Sequence, residues 1–467
     1  MIIARPAAPG SYESHPVAAS PRPAVSVVED HDEAYYVWKA AGVQHSVLLH
    51  FDAHIDFAWI APSPEILLKQ TRLSDVFSAL HQTPFWTLSG KTEEERTHLG
   101  NYIHQAIRAD LVQEFIWVYP EDQDRAKQAS AVRSILESLA ATAPQLFQLF
   151  NPADTGCFEG RIYGKRFRAF PYSAFSTQAF EEVVLLDIDL DFFIVRSLYS
   201  RHYPHADVQT PSFWLSPAEF VARLHASGLR YELVTLAYSV EEGYTPLRLK
   251  FLGTELAARL ARSLSDEEER GFRILRDLFG ADAPPHPASA VQTLEEELSR
   301  NPGSAALQFN LAMLLLEVND ISRAAAHYAC AIEADPSYRT RYNHAGPVLL
   351  DQGLTREASA SYERMKRLDP AHTYYRLFDL ESLAASGKWV QALALGRELS
   401  RNGVDDPTLP LTLAECYLHL HRYEDAWQEL GLYRPPATGS LRHDIRHAWV
   451  KARVAEALHR LEEAVAC

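Results

Sequence analysis

Two acidic clusters, Asp52-Ala53-His54-Ile55-Asp56 and Asp187-Ile188-Asp189-Leu190-Asp191, each close an aliphatic run, Ser46–Leu49 in one case and Val183–Leu186 in the other. Runs of this kind are expected as buried parallel strands. Alternate residues of a strand point the same way, so Asp52, His54 and Asp56 converge if the extended geometry persists. The same holds for Asp187, Asp189 and Asp191. Five carboxylates on one rim repel one another unless something positive sits among them, and a pair of divalent ions answers that need.

The rest of the first half has the pattern such a rim requires. Val25–Val28, Phe115–Val118 and Leu233–Leu236 are further strand candidates. Amphipathic stretches at Glu33–Ala41, Pro64–Leu80, Glu93–Ala109, Asp124–Ala143, Pro217–Ser227 and Tyr244–Leu264 alternate with them. Strands alternating with helices predict an α/β domain with a mostly parallel sheet, whose ligands gather at the carboxyl ends of the strands. Both clusters lie at such ends.

After the Pro-rich stretch around Pro284-Pro285-His286-Pro287 the period changes. Pro302, Pro336 and Pro370 are 34 residues apart, and Pro407 follows 37 later. Thirty-four is the tetratricopeptide period. Ala312, Ala324, Tyr328 and Ala331 mark one repeat, Gly346, Ala358 and Tyr362 the next. Ala392 marks a third, which has Gly396 in place of Tyr, and Ala414, Tyr417 and Ala426 mark a fourth. Small residues admit close helix approach and Pro closes each unit. Tyr328, Tyr362 and Trp427 are expected as core packing, and Leu441–Ala466 as the capping helix. The expected division is a leader over 1–24, an α/β domain carrying the acidic rim over 25–280, a linker over 281–288 and an all-α solenoid over 289–467.

At 467 residues the chain exceeds one ordinary core. A net charge of −16 argues against nucleic acid and anionic membranes as partners and favours a cationic substrate. No apolar run approaches a membrane span, and the Pro-, Ala- and Ser-rich start lacks a secretory signal. Cys157, Cys330, Cys416 and Cys467 form no CxxC pair. They fit a reducing cytosol, with Cys330 and Cys416 expected as small core residues, so a cytoplasmic protein is predicted.

A third segment, Glu29-Asp30-His31-Asp32, follows the first strand and opens a helix. The candidate ligands are then His31, Asp52, His54, Asp56, Asp187, Asp189 and Asp191. Two imidazoles and several carboxylates suit two Mn²⁺ or other divalent ions.

These segments resemble those of the arginases, agmatinases and related ureohydrolases. That family carries Gly-Gly-Asp-His, Asp-Ala-His-x-Asp and Asp-x-Asp segments at strand ends. Asp30-His31 is similar to the first, Asp52–Asp56 to the second and the Asp187–Asp191 run to the third. Val28-Glu29 stand in place of the two glycines, and Phe192-Phe193 in place of a closing Asp-Pro. The strings His50–Asp56 and Asp187–Phe193 look like the peptide arginase group within this arginase/deacetylase-like fold. The resemblance spans roughly Val25 to Arg262. It implies a three-layer parallel-sheet domain and hydrolysis of arginine side chains in a precursor peptide to ornithine and urea. It implies also a Glu that pairs with the guanidinium, here Glu241 or Glu242, and a proton-shuttling His, for which His98, His104 and His202 are the candidates. Either Asp187/Asp189 or Asp189/Asp191 supplies the paired acids, with Asp189 common to both. The solenoid is expected to recruit the precursor peptide or a protein partner. Two alternatives stay open: a metal-dependent amide deacetylase, and a non-catalytic adaptor whose first domain is degenerate.

Overall fold

The computed structural model describes residues 23–58, 72–81, 97–150, 156–195, 198, 212–240, 245–280, 286–339, 363, 365–370, 372–404, 406, 408–433 and 441–459. Almost all of the expected leader, the first part of the linker, Glu241, Glu242, His202, Gly346, Ala358 and Tyr362 lie outside them. By packing, the chain forms two compact units, 1–58 with 99–340 and 59–98 with 341–467.

The first unit is built on one sheet. Its strands are β1 (Ala24–Val28), β2 (Ser46–Phe51), β3 (Val112–Tyr119), β4 (Phe147–Phe150), β5 (Phe158–Ile162), β6 (Lys165–Pro171), β7 (Val184–Asp189) and β8 (Tyr231–Ala237). Their order is β1-β8-β7-β2-β3-β6-β5-β4. The pairs from β1 across to β6 are parallel, and β6-β5-β4 form an antiparallel edge. The sheet is therefore mixed α/β and mostly parallel. Strands β2 and β7 lie side by side at its centre with Leu48, Leu49, Leu185 and Leu186 buried, as continuous aliphatic runs require.

All five expected strands are present, each a few residues longer or shifted by one. The antiparallel edge was not expected. Its signal is the alternation of Lys165-Arg166-Phe167-Arg168-Ala169-Phe170, which buries Phe167 and Ala169 and leaves Arg166 exposed. A two-residue turn, Tyr163-Gly164, joins β5 to β6 with φ of 51° and 77°, the geometry of a tight hairpin.

The expected break at 281–288 does not separate compact units. The helix Pro287–Leu298 and the pair Ala305–Glu317 and Ile321–Ala334 belong to the unit of the sheet. Polar contacts account for this. Arg270 Nε lies 3.1 and 2.9 Å from the two oxygens of the fully buried Glu297, and Arg248 meets Glu317 at 2.6 Å. Asn310 Nδ2 donates to the Arg248 carbonyl at 3.2 Å.

In the second unit, antiparallel helix pairs follow the expected repeat: Thr373–Ala385 with Trp389–Arg401, then Leu409–His419 with Tyr423–Leu432, then Leu441–Ala457. Ala392, Ala414 and Ala426 are fully buried where helices meet. Gly396 stands where a Tyr was expected because a Cβ there would lie 2.6 Å from Leu413 Cδ2. Cys416 is buried, but Cys330 is exposed, contrary to expectation. The buried stripe of its helix runs through Ala324, Tyr328 and Ala331, and residue 330 falls beside it. No helix among the described residues is long and apolar enough to cross a membrane.

Candidate metal centre

The register of the central strands sets the floor of the site. His50 on β2 faces Asp187 on β7, which faces Thr235 on β8. Above this row both acidic clusters leave the sheet. Strand β2 ends at Phe51, and Asp56 turns back through a left-handed φ of 48°. Strand β7 ends at Asp189, whose carboxylate caps a 3₁₀ turn by accepting from the Asp191 N–H at 2.8 Å. Convergence thus comes from loop curvature as well as strand parity.

Two sets of donor atoms result, and they meet at one carboxylate. His31 Nδ1 lies 3.0 Å from Asp52 Oδ2, 3.3 Å from Asp56 Oδ2 and 3.1 Å from Asp189 Oδ2. His54 Nδ1 lies 2.9 Å from Asp191 Oδ2 and 3.4 Å from Asp52 Oδ1. Asp52 therefore turns one oxygen to each set. The Trp117 indole N–H holds the Asp52 carbonyl at 2.9 Å, and the Ser239 hydroxyl holds Asp189 Oδ2 at 2.6 Å. Ser239 itself has a φ of 50°, so two non-glycine residues of this site sit in the left-handed region, a strain typical of functional loops.

Asp187 is differently placed. Its Oδ2 accepts from Tyr102 Oη at 2.7 Å and lies 3.0 Å from His31 Nε2 and 2.9 Å from His50 Nδ1, while Oδ1 accepts from Thr235. Four donors saturate a carboxylate. Asp187 thus stands behind His31, and Asp189 and Asp191 are the acids that face the shared space. Because Asp187 accepts at Nε2–H, it leaves His31 Nδ1 aimed at Asp52, Asp56 and Asp189, the arrangement that orients metal-binding histidines.

His50 was not singled out from the sequence. It lies two residues before Asp52, on the same face of β2, and that parity is the signal that identifies it. It spans two carboxylates, Nδ1 at Asp187 and Nε2 3.2 Å from Asp52 Oδ2.

Protonation shows how the charges balance. Burial pulls His50 down, yet the Asp52 charge and the bonds to Asp187 and Asp52 raise it to about 9. Burial likewise opposes the charged forms of His31 and His54, but Asp187 and Asp189 for the former, and Asp191 for the latter, hold both well above the usual histidine range. Burial raises Asp56 to about 7, with the Asp52 charge adding to it, and drives Asp191 well up in the same way, with the Asp189 charge adding. Asp52 and Asp187, opposed by burial but flanked by imidazoles, are held well below the carboxylate norm.

The donor set fits divalent ions. His31, His50 and Asp52 form one group, and Asp52, His54 and Asp191 another, with ligand atoms within 4.8 Å of one another. The buried His31 Nδ1 and His50 Nε2 lie 3.0 and 3.2 Å from Asp52 Oδ2, yet none of the three atoms has a well-aligned hydrogen bond. Buried polar atoms left so are costly, and a cation between them removes the cost.

On its open side the site borders a cavity of about 300 Å³, lined by His54 and Asp56 at one end and by Trp117, Ile135, Leu139 and Leu198. Of the expected shuttles, His104 lies 3.0 Å from the Ala58 carbonyl and 2.8 Å from Tyr163 Oη through its two ring nitrogens. Burial lowers it to about 4, with the Arg108 charge acting in the same direction. Both nitrogens are thus engaged and the ring is neutral near pH 7. His98 is buried and belongs to the second compact unit.

No family model matches the chain, and no curated protein does. Solved structures of tetratricopeptide-repeat proteins match at low overall similarity. YrrB, described as having an unusual peptide-binding site, is 21% identical, with 37% of this chain and 86% of that one covered and a TM-score of 0.21. PilF of Pseudomonas aeruginosa is 20% identical, covering 38% and 80%, with a TM-score of 0.23. A repeat protein of Parabacteroides merdae is 14% identical, covering 56% and 89%, with a TM-score of 0.21. The helical repeats of this chain rest on their own spacing and helix pairs.

Proposed function

We propose that the chain is a divalent-metal hydrolase that converts arginine side chains of a peptide to ornithine and releases urea. The observation that carries this reading is Asp52, whose two oxygens face two separate His/Asp sets. When bound, a pair of ions such as Mn²⁺ supplies Lewis acidity and lowers the pKa of water into the working range. The chain's own groups do the rest. Asp187 and His50 hold His31 and Asp52 in place from below, and Ser239 fixes Asp189. The apolar walls beside His54 and Asp56 receive the aliphatic stem and keep bulk water away. Glu241 or Glu242, outside the described residues, pairs with the planar guanidinium through two parallel hydrogen bonds. The helical repeats recruit the precursor peptide and raise the local concentration of its arginines. The substrate itself is assigned from the motif resemblance.

The test is urea release by Mn²⁺-loaded protein from an arginine-bearing peptide and from free arginine, beside Asp52→Ala. Urea from the peptide, lost in the variant, supports the proposal, and metal uptake without urea from either substrate sinks it. The same apolar walls suit an acyl chain, so an amide deacetylase is the second reading, and acetate release from an acetylated lysine peptide identifies it. An adaptor with a degenerate first domain would bind no stoichiometric ion.

A further inference from the structure

Lys250 is fully buried, at the start of the helix Lys250–Ala261. Its ammonium donates to Glu29 Oε2 at 3.2 Å and to the Ser337 carbonyl at 3.3 Å, and lies 4.3 Å from the centre of the Tyr238 ring and 5.8 Å from that of Tyr338. These partners come from two regions far apart in sequence. Ser337 sits in the 3₁₀ turn Pro336–Tyr338 that closes the first helical repeat, and Asp335 fixes it by accepting its N–H at 3.0 Å. Glu29 immediately follows β1, two residues before His31. The Glu29 carbonyl accepts from the Ser239 N–H at 2.7 Å and its Oε1 from the Val240 N–H at 3.3 Å. Ser239 in turn holds Asp189. An unbroken run of polar contacts thus joins Ser337 through Lys250, Glu29 and Ser239 to Asp189, and through the backbone of Glu29 to His31.

We infer that Lys250 is a positioning residue through which the closing turn of the first helical repeat sets the two loops that carry His31 and Asp189. The first repeat is then part of the metal centre's scaffold, and only the later repeats are free to act as a recruiting arm. A buried ammonium suits this role, because leaving either of its partners unpaired is costly, and the turn and the loop therefore hold each other in register. This inference rests on the metal-centre reading for its consequence but not for its geometry.

The test uses the full-length chain with Lys250→Met, Tyr338→Leu, the double variant, and Leu315→Ala as a substitution of a buried residue of the same repeat that is no partner in the hydrogen bonds of Lys250 and Glu29. Mn²⁺ affinity is measured by calorimetry, and amide hydrogen exchange is followed over residues 28–34 and 237–240. Lys250→Met and Tyr338→Leu are each expected to weaken Mn²⁺ binding about tenfold, in the range of groups that orient ligands. The double variant is expected to lose no more than the worse single one, as coupled positions do. Exchange in both loops should quicken, while Leu315→Ala lowers the melting temperature and leaves loops and affinity as they were. Wild-type exchange in both loops of a folded Lys250→Met or Tyr338→Leu chain would overturn the inference, as would equal loosening by Leu315→Ala. If the wild-type chain takes up no metal, the proposed function falls, and the exchange measurement still decides the role of Lys250.

Discussion

At the rim of the sheet, three imidazoles and five carboxylates lie within hydrogen-bonding range of one another, nearly all of them buried. In the repeats of the second unit the side chains that meet are Ala392, Ala414, Ala426, Leu399 and Leu413, around a glycine with no room for a methyl group. The first region is dense in charge and, on the proposed reading, is balanced by ions. The second is held by shape. Removing one charge at the rim strands its partners, and the damage spreads through the cluster. Removing or adding a methyl group in a repeat is felt by the neighbouring helices and by little else. Concentrated charge thus gathers where the central strands end, and the helices of the second unit meet through small apolar side chains.

Four substitutions sharpen this contrast. Asp52→Ala is expected to have the largest effect, abolishing paired metal uptake and weakening Mn²⁺ affinity by at least ~100-fold. Elemental analysis and calorimetry measure it, and retention of two ions per chain would break the comparison. Asp187→Asn keeps the size of the side chain but no longer takes four donors, so affinity should fall roughly 10–100-fold while two ions still bind at high Mn²⁺. Complete loss of one ion would make Asp187 a ligand.

His104→Gln addresses acid sensitivity. The His104 pKa is lowered to about 4 in the fold, so above the unfolded value near 6.5 it adds no pH dependence. Between roughly 6.5 and 4 the unfolded chain takes a proton that the fold refuses, which destabilises the fold by up to ~3 kcal/mol. Denaturant midpoints of His104→Gln should therefore fall less steeply across that window than those of the wild type. The smallest effect is expected from Gly396→Val, about 1–3 kcal/mol by overpacking against Leu413, with metal content unchanged. A loss of bound metal in that variant would show that the two regions are not independent.

The strands, and the clustering of the acidic residues at their ends, were legible because both depend on short spacings. An aliphatic run ending in alternating acids is visible in a window of ten residues. The strands β4 to β6 are harder to read, because β4 spans only four residues, β5 carries a Gly at its centre and the alternation of β6 is carried by Lys and Arg. The choice among Asp187, Asp189 and Asp191 could not be made from parity, which puts all three on one face. Tyr102 and Thr235, which come from other elements, engage Asp187, and on the proposed reading that leaves Asp189 and Asp191 to face the ions. His50 begins one of the quoted strings but lies inside the buried run of β2, where an imidazole reads as core until its Asp52 and Asp187 partners are placed. Proline marks where a helix stops, whereas side-chain contacts such as Arg270 with Glu297 tie the helix that follows 281–288 to the unit of the sheet.

Asp52 has one further consequence. On the proposed two-ion reading, a single carboxylate would serve both His/Asp sets, and the two ions would not bind as independent events. An ion in either set would fix the rotation of the Asp52 side chain and so prepare or hinder the other, and by thermodynamic reciprocity the influence would run equally in both directions. A Mn²⁺ titration should depart from the curve for two identical, non-interacting sites, and the interaction should vanish in any variant that gives each set a carboxylate of its own.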